Sequence, residues 1–174
     1  MAKNPGGEPD PKQIQQCLKT AKTLGKSLET CGKEFASSKK EMSALMKDRK
    51  NLDNEGLLEA YDDVDGGRAW LVMENDDQIS VLLAKPKNIE KWLKQNHAQL
   101  GKLKNALKVV VKTRDQASGK LKAYQKNNKA KIDSSNSLKK AVARFGAALK
   151  NLNAACDEAN KLIDGVSQLE SDKP

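Results

Sequence analysis

The stretch from Ile14 to Leu45, IQQCLKTAKTLGKSLETCGKEFASSKKEMSAL, decides the fold because its apolar residues recur at alternating steps of three and four. The full seam is Ile14, Cys17, Ala21, Leu24, Leu28, Cys31, Phe35, Ser38, Met42, Leu45, Arg49 and Leu52. A period of 3.5 residues is typical of a helix packed lengthwise against other helices. Asp10 and Pro11 fit an N-cap and a first-turn proline. We therefore predict a helix over about residues 11–51.

Two more seams with the same spacing follow later in the chain and predict helices over about residues 88–131 and 134–170. The earlier of these seams contains the polar residues Asn96 and Arg114, which in a coiled coil set the register of packing. Because two or three residues connect these two helices, they should be antiparallel neighbours. The long connection before residue 88 leaves the relative direction of the first two helices open.

Residues 53–87 interrupt the helical pattern. Two apolar runs, 70–73 and 79–83, flank the polar residues 74–77, and glycines stand at 56, 66 and 67. This arrangement fits a β-hairpin or two short helices, and periodicity over so few residues does not choose between them.

These elements predict a mainly α fold, an elongated antiparallel bundle of three long coiled-coil-like helices with a short insertion. Residues 1–10 are expected to be a disordered leader, 11–170 a single domain and 171–174 a tail. Cys17, Cys31 and Cys156 fall on the seams, which favours buried structural thiols. With no apolar signal segment at the start, we expect a cytoplasmic protein or one exported by a route without a cleaved signal peptide.

Charge is sorted along the chain, whose formal net charge is +9. Residues 51–86 hold nine acidic and two basic side chains, whereas residues 87–132 hold thirteen basic and two acidic ones. The acidic insertion could dock on the basic helix, either within one chain or between two chains.

Lysines recur on the sides of the first two predicted helices that face away from the seams. The candidate anion-binding residues are Lys12, Lys19, Lys26, Lys33, Lys40, Lys47, Lys91, Lys94, Lys108, Lys112, Lys122 and Lys126. The simpler interpretation is a solvated face, and the functional one is a ladder for phosphates or anionic lipid head groups. Because 28 lysines stand against 4 arginines, binding to polyanions should be weak and independent of sequence.

Catalytic motifs are missing from the sequence. His97 is the single histidine, and the chain has neither a phosphate-binding glycine loop nor paired cysteines with zinc spacing. Residues 61–66 fail as a calcium loop because Tyr61 and Val72 would occupy ligand positions. We expect a non-enzyme without cofactor, metal or small-molecule substrate.

The leading hypothesis is an interaction protein (an adaptor, scaffold, chaperone or assembly subunit) that also self-associates, most simply as a dimer. Its candidate partner-binding residues are the large apolar side chains of the insertion, Trp70, Leu71, Met73, Leu82 and Leu83. The first alternative is a binder of anionic surfaces, membrane lipid or nucleic-acid backbone. The second is a membrane-active helical toxin or translocator that uses residues 69–84 as an apolar tongue.

Overall fold

The computed structural model describes residues 9–46, 54–84 and 88–171, and within these ranges the chain is helical with no strand. Five helices follow one another along the chain: α1 (Pro11–Met46), α2 (Asn54–Leu83), α3 (Ile89–Asn127), α4 (Lys129–Asp133) and α5 (Asn136–Ser171). The four long helices form an antiparallel bundle, and α4 lies in the short connection between α3 and α5.

The contacts between helices define a ring in the order α1, α2, α3, α5. Glu41 binds Arg144 and Glu34 accepts from Asn151, so α1 and α5 run in opposite directions. The hydrogen bond between Gln78 and Asn96 and the approach of Gly67 to Thr113 give the same relation for α2 and α3. The contacts of Ala21 with Asn75 and of Ser38 with Tyr61 show that α1 and α2 are antiparallel. Those of His97 with Glu170 and of Leu121 with Gly146 show the same for α3 and α5, which confirms the prediction for that pair. In this ring α2 lies diagonally opposite α5.

The interpretation of the insertion as a β-hairpin or two short helices is wrong, because residues 54–83 form a single helix. The bundle accordingly has four long helices rather than three. The inward positions of α2 do follow steps of three and four through the buried row Leu57, Tyr61, Val64, Gly67, Leu71, Glu74, Gln78 and Leu82, and Ala60 and Asn75 are buried beside this row. Four of these positions carry Gly, Glu, Asn or Gln, so the apolar pattern is too sparse to be recognised in the sequence.

The adjacent glycines of α2 lie in different surroundings. A Cβ atom at Gly67 would stand 3.2 Å from Thr113 Oγ1 and 3.5 Å from Val110 Cα, so a glycine there allows α2 to approach α3 closely. Gly66 faces outward, and a Cβ atom there would meet nothing within 4 Å. The helix therefore continues through the pair because its packing on α3 outweighs the weak helix propensity of glycine.

Side chains cap three of the long helices at their first turn. Asp10 Oδ1 accepts from the backbone N–H of Lys12 at 3.0 Å, which confirms the predicted start of α1. Asn88 accepts from the N–H of Lys91, and Ser135 accepts from the N–H of Leu138. The predicted helix end at residue 51 lies outside the described residues.

The core is aromatic near one end of the bundle. The ring centroids of Tyr61 and Phe145 lie 3.7 Å apart, and Phe35 packs edge-on against Phe145 at 6.0 Å. The hydroxyl groups of Tyr61 and Ser38 are hydrogen-bonded at 2.6 Å, which satisfies the phenol inside the core. Phe145 thus links α5 to both α1 and α2.

The three cysteines are buried and free, which confirms the sequence prediction. Burial raises the pKa of Cys17 and of Cys31 to about 11, and it raises the pKa of Cys156 as well. These thiols therefore remain protonated at neutral pH.

None of the helices in the described ranges has a stretch long and apolar enough to cross a membrane.

Candidate functional site

The outward face of α2 carries the exposed large hydrophobic side chains of the described residues. Trp70 is 38% exposed, Met73 is 62% exposed and Leu83 is 61% exposed. Trp70 and Met73 are one turn apart on this face, beside the exposed Ala69 and Gly66. Met73 lies largely outside the packing of its own bundle and Trp70 leaves more than a third of its surface uncovered, so this apolar area is a candidate contact surface.

The five partner-binding residues predicted from the sequence divide between two faces of α2. Trp70, Met73 and Leu83 point to solvent, whereas Leu71 and Leu82 lie in the core, 0% and 4% exposed. The division follows from helical geometry, since neighbours in sequence are rotated by about 100° around the helix axis. Leu71 and Leu82 are thus unavailable to a partner while the bundle is folded.

Carboxylates surround the exposed apolar area of α2. Asp62 and Asp63 lie on its N-terminal side and Asp76 and Asp77 on its C-terminal side, and all four are exposed. Asp62 also binds Lys39 of α1. We call Trp70 and Met73 together with these four aspartates the α2 patch.

The acidic charge of α2 is not neutralised by the basic helix beside it. Helices α2 and α3 pack along their lengths, yet no ion pair joins them within the described ranges. Their contact is made instead by apolar and amide side chains. The exposed carboxylates and lysines point outward, whereas Glu74 is buried and accepts a hydrogen bond from Gln99 of α3. The docking of the acidic segment on the basic helix within one chain therefore takes place without direct charge pairing.

The predicted lysine rows face solvent wherever the structure describes them. The exposed members are Lys12, Lys19, Lys26, Lys33, Lys40, Lys91, Lys94, Lys108, Lys112, Lys122 and Lys126, and Lys47 lies outside the described residues. In the described chain, lysine takes part in few ion pairs, among them the one from Lys94 to Glu90. The rows are therefore accessible to an anionic surface.

An open groove of about 600 Å³ runs between α3 and α5. Leu107, Val111 and Ile163 line its floor, and Lys104, Lys108 and Lys112 follow one another along its α3 side. Asp115 and Asn160 also line it. The three lysines are spaced by four residues, about 6 Å along the helix, so they form a straight basic edge beside an apolar floor. We call this feature the α3–α5 groove.

Buried amide side chains form a polar layer that joins α2 to α3 and, through Asn75, to α1; the sequence indicates it only at Asn96. Gln78 donates to Asn96 Oδ1 at 2.8 Å, Asn75 donates to the carbonyl of Ala21 at 2.9 Å, and Gln99 donates to Glu74 at 3.0 Å. Gln78 Oε1 and Asn96 Nδ2 find no hydrogen-bond partner among the described residues. The amide layer is buried, and some of its polar atoms have no hydrogen-bond partner among the described residues.

Residues that could support catalysis do not converge in the described part of the chain. His97 is exposed and its Nδ1 atom lies 3.0 Å from Glu170, in a pair that joins α3 to α5. Throughout the described ranges, no three His, Cys, Asp or Glu side chains are grouped so that they could hold a metal ion.

No protein-family model matches the chain, and comparisons with curated proteins and with solved structures find no significant match. The surfaces of the bundle itself are therefore the source of any functional inference.

Proposed function

We propose that this protein is a non-enzymatic interaction protein that binds a protein partner through the α2 patch. The observation that supports this is the exposure of Trp70 and Met73 on a helix whose opposite side already fills the core. Tryptophan and methionine are enriched at protein interfaces, and tryptophan is among the residues that contribute most to binding energy. An adaptor, scaffold, chaperone or assembly subunit would use such a surface.

The chemistry of the patch restricts its partner. The exposed aspartates at 62, 63, 76 and 77 bracket the apolar centre on both sides along α2. A complementary surface has an apolar centre with lysine or arginine around it, because such an arrangement matches both parts of the patch and speeds encounter. A purely apolar or an acidic partner would leave the aspartates unmatched.

Quantitative affinity purification from the native host tests the proposal. We expect the variant with Trp70→Ser and Met73→Ser to lose a set of partners that the wild type retains. The matched control, Lys12→Gln with Lys19→Gln, changes two exposed residues of α1 and should retain that set. If the patch variant and the wild type recover identical proteins, the patch is not the binding surface.

A second proposal is binding to anionic surfaces through the lysine rows, favoured by the exposure of Lys108, Lys112, Lys122 and Lys126 along α3. Vesicles of phosphatidylserine and phosphatidylcholine, compared with phosphatidylcholine alone, test it by co-sedimentation. Binding should weaken strongly between low salt and about 0.15 M, where the Debye length is about 8 Å. Charge-neutral substitutions of these lysines should abolish it, and equal sedimentation with both vesicle types would contradict it.

A further inference from the structure

The α2 patch and the α3–α5 groove have opposite charges on one and the same chain. We propose that the groove of one copy binds the α2 patch of a second copy, so that the protein assembles head to tail. This inference rests on the proposed function, since it names a partner for the same patch. The partner chemistry derived above, an apolar centre with a basic edge, is present in the groove.

Charge complementarity is the first argument. Helix α2 contains eight acidic side chains and one basic one, and α3 contains ten basic and two acidic ones. Asp62 is paired with Lys39 of α1, but no ion pair within the described residues joins α2 to α3 or occupies Asp76, Asp77 or the lysines of the groove, so these charges remain available to another molecule. The groove offers Lys104, Lys108 and Lys112 to the aspartates of the patch.

The apolar parts are the second argument. Met73 is 62% exposed and Trp70 38% exposed on the patch, whereas Leu107, Val111 and Ile163 are the apolar residues that line the groove. The exposed parts of the methionine and the indole, placed against the apolar lining of the groove, would provide the central, water-excluded contact that dominates interface energies. The lysines beside the floor and the aspartates beside the indole then meet at the rim, where they steer association and set orientation.

The positions of the two surfaces determine the symmetry of the assembly. The approach of Gly67 to Val110 places the patch and the groove at a similar level along the bundle. Because α2 lies diagonally opposite α5, its outward face points away from the α3–α5 groove. A two-fold dimer cannot use both surfaces at one interface, so each contact joins unlike surfaces and leaves one patch and one groove open at the ends. The predicted product is therefore a chain or ring of copies, in place of the dimer suggested by the sequence.

Two variants, each with one blocked surface, test this arrangement by sedimentation velocity. The patch variant carries Trp70→Glu and Met73→Glu, and the groove variant carries Lys104→Glu, Lys108→Glu and Lys112→Glu. Met73 and the three lysines are exposed and Trp70 is 38% exposed, so far-UV circular dichroism and thermal unfolding are used to check that both variants fold as the wild type does, and Met73→Glu alone serves as a second patch variant that leaves the indole in place. Lys12→Glu with Lys19→Glu is the matched control for charge reversal away from the groove.

We expect the wild type to form species larger than a dimer as its concentration rises, and to dissociate as salt is added. Each blocked variant alone should associate at least tenfold more weakly and sediment as a 19.1 kDa monomer. An equimolar mixture should form a dimer and nothing larger, because one intact patch meets one intact groove. The control variant should behave as the wild type.

Three results would overturn the inference. The first is a wild type that stays monomeric at about millimolar concentration, and the second is association that survives in both blocked variants. The third is a groove that binds dodecanoate, measured by calorimetry, while the protein does not self-associate; the occupant is then an anionic amphiphile. None of these results decides the proposed function. That proposal is tested separately, by comparing the proteins that co-purify with the wild type and with the Trp70→Ser, Met73→Ser variant.

Discussion

The two halves of the bundle use different chemistry to pack. Helices α1 and α5 meet through apolar and small side chains, with Phe35, Phe145 and the three cysteines buried between them and their neighbours. Helices α2 and α3 meet through the amide layer around Gln78 and Asn96, with Gly67 at a point of close approach. Both halves bury apolar side chains, and the α2–α3 half adds specific buried hydrogen bonds and a close backbone approach to this area removed from water.

The largest loss of stability should follow from opening a cavity in the half formed by α1 and α5. Phe145→Ala removes the ring that contacts both Phe35 and Tyr61. We expect the free energy of unfolding to fall by about 3–5 kcal/mol, the usual range for a buried phenylalanine. Urea denaturation followed by circular dichroism measures it, with the exposed Ala98→Ser as a control that should change stability little. A loss smaller than that of the amide variants below would contradict the comparison.

The next effect should come from alkaline pH, which acts on the buried thiols of α1 and α5. The pKa of Cys17 and Cys31 is raised from 9.0 to about 11 by burial, so the folded protein keeps protons that the unfolded chain releases. The free energy of unfolding should therefore be constant below about pH 9, decrease from there to about pH 11 and then level off as far as the thiols contribute.

Denaturation curves over this pH range measure the alkaline effect. A variant with alanine at the three cysteine positions should lose less stability between the two ends of the range, although its stability at neutral pH is lower. Identical slopes for the wild type and this variant would assign the alkaline loss to other groups.

A smaller loss of stability is expected from substitutions in the amide layer. The single substitution of Asn96 should destabilise the protein more than the simultaneous replacement of both Gln78 and Asn96. Asn96→Ala leaves Gln78 buried without its partner and should cost about 1–3 kcal/mol. Replacing both residues with leucine removes the unpaired atoms together with the bond, and should cost less than the single change. Urea denaturation of the three proteins checks this, and a double variant that loses more than the single one would show that the hydrogen bond itself stabilises the half.

The smallest effect concerns the two glycines of α2. Gly66→Ala should raise the free energy of unfolding by about 0.5–1 kcal/mol, because alanine favours the helix and its Cβ atom meets nothing. Gly67→Ala should gain less or lose stability, since its Cβ atom would crowd Thr113. Thermal unfolding of the pair measures the difference, and equal gains would contradict the close approach of α2 and α3.

A difference between α2 and the other three long helices explains how far the sequence predicts the structure, since the seam of α3 is also regular enough to predict that helix. The seams from Cys17 to Met42 and from Leu138 to Val166 consist largely of apolar residues, so the periodicity alone predicts α1 and α5. The inward positions of α2 include Gly67, Asn75 and Gln78, which become buried because α1 and α3 supply partners and a close surface. A local window does not contain those partners.

The sequence predicts only part of the candidate site, because the rest depends on how the helices are arranged in space. Trp70, Met73 and Leu83 stand out in the sequence as large apolar residues, together with Leu71 and Leu82. Only the direction in which each residue points from a continuous helix separates the three exposed residues from the two buried ones. The α3–α5 groove combines Leu107 and Val111 with Ile163, which lies more than fifty residues later in the chain. Such a surface follows from which helices are neighbours, and no single seam reveals that.

The two tryptophans, one on each side of the α2–α3 connection, make the molecule its own spectroscopic reporter. The indole N–H of the buried Trp92 donates to the carbonyl of Val81 at 2.9 Å, whereas Trp70 is in contact with water. Indole emission moves to shorter wavelength when water is excluded and to longer wavelength when water enters. Covering the α2 patch must therefore shift the fluorescence toward the blue and opening the bundle toward the red, so that one spectrum distinguishes the two events.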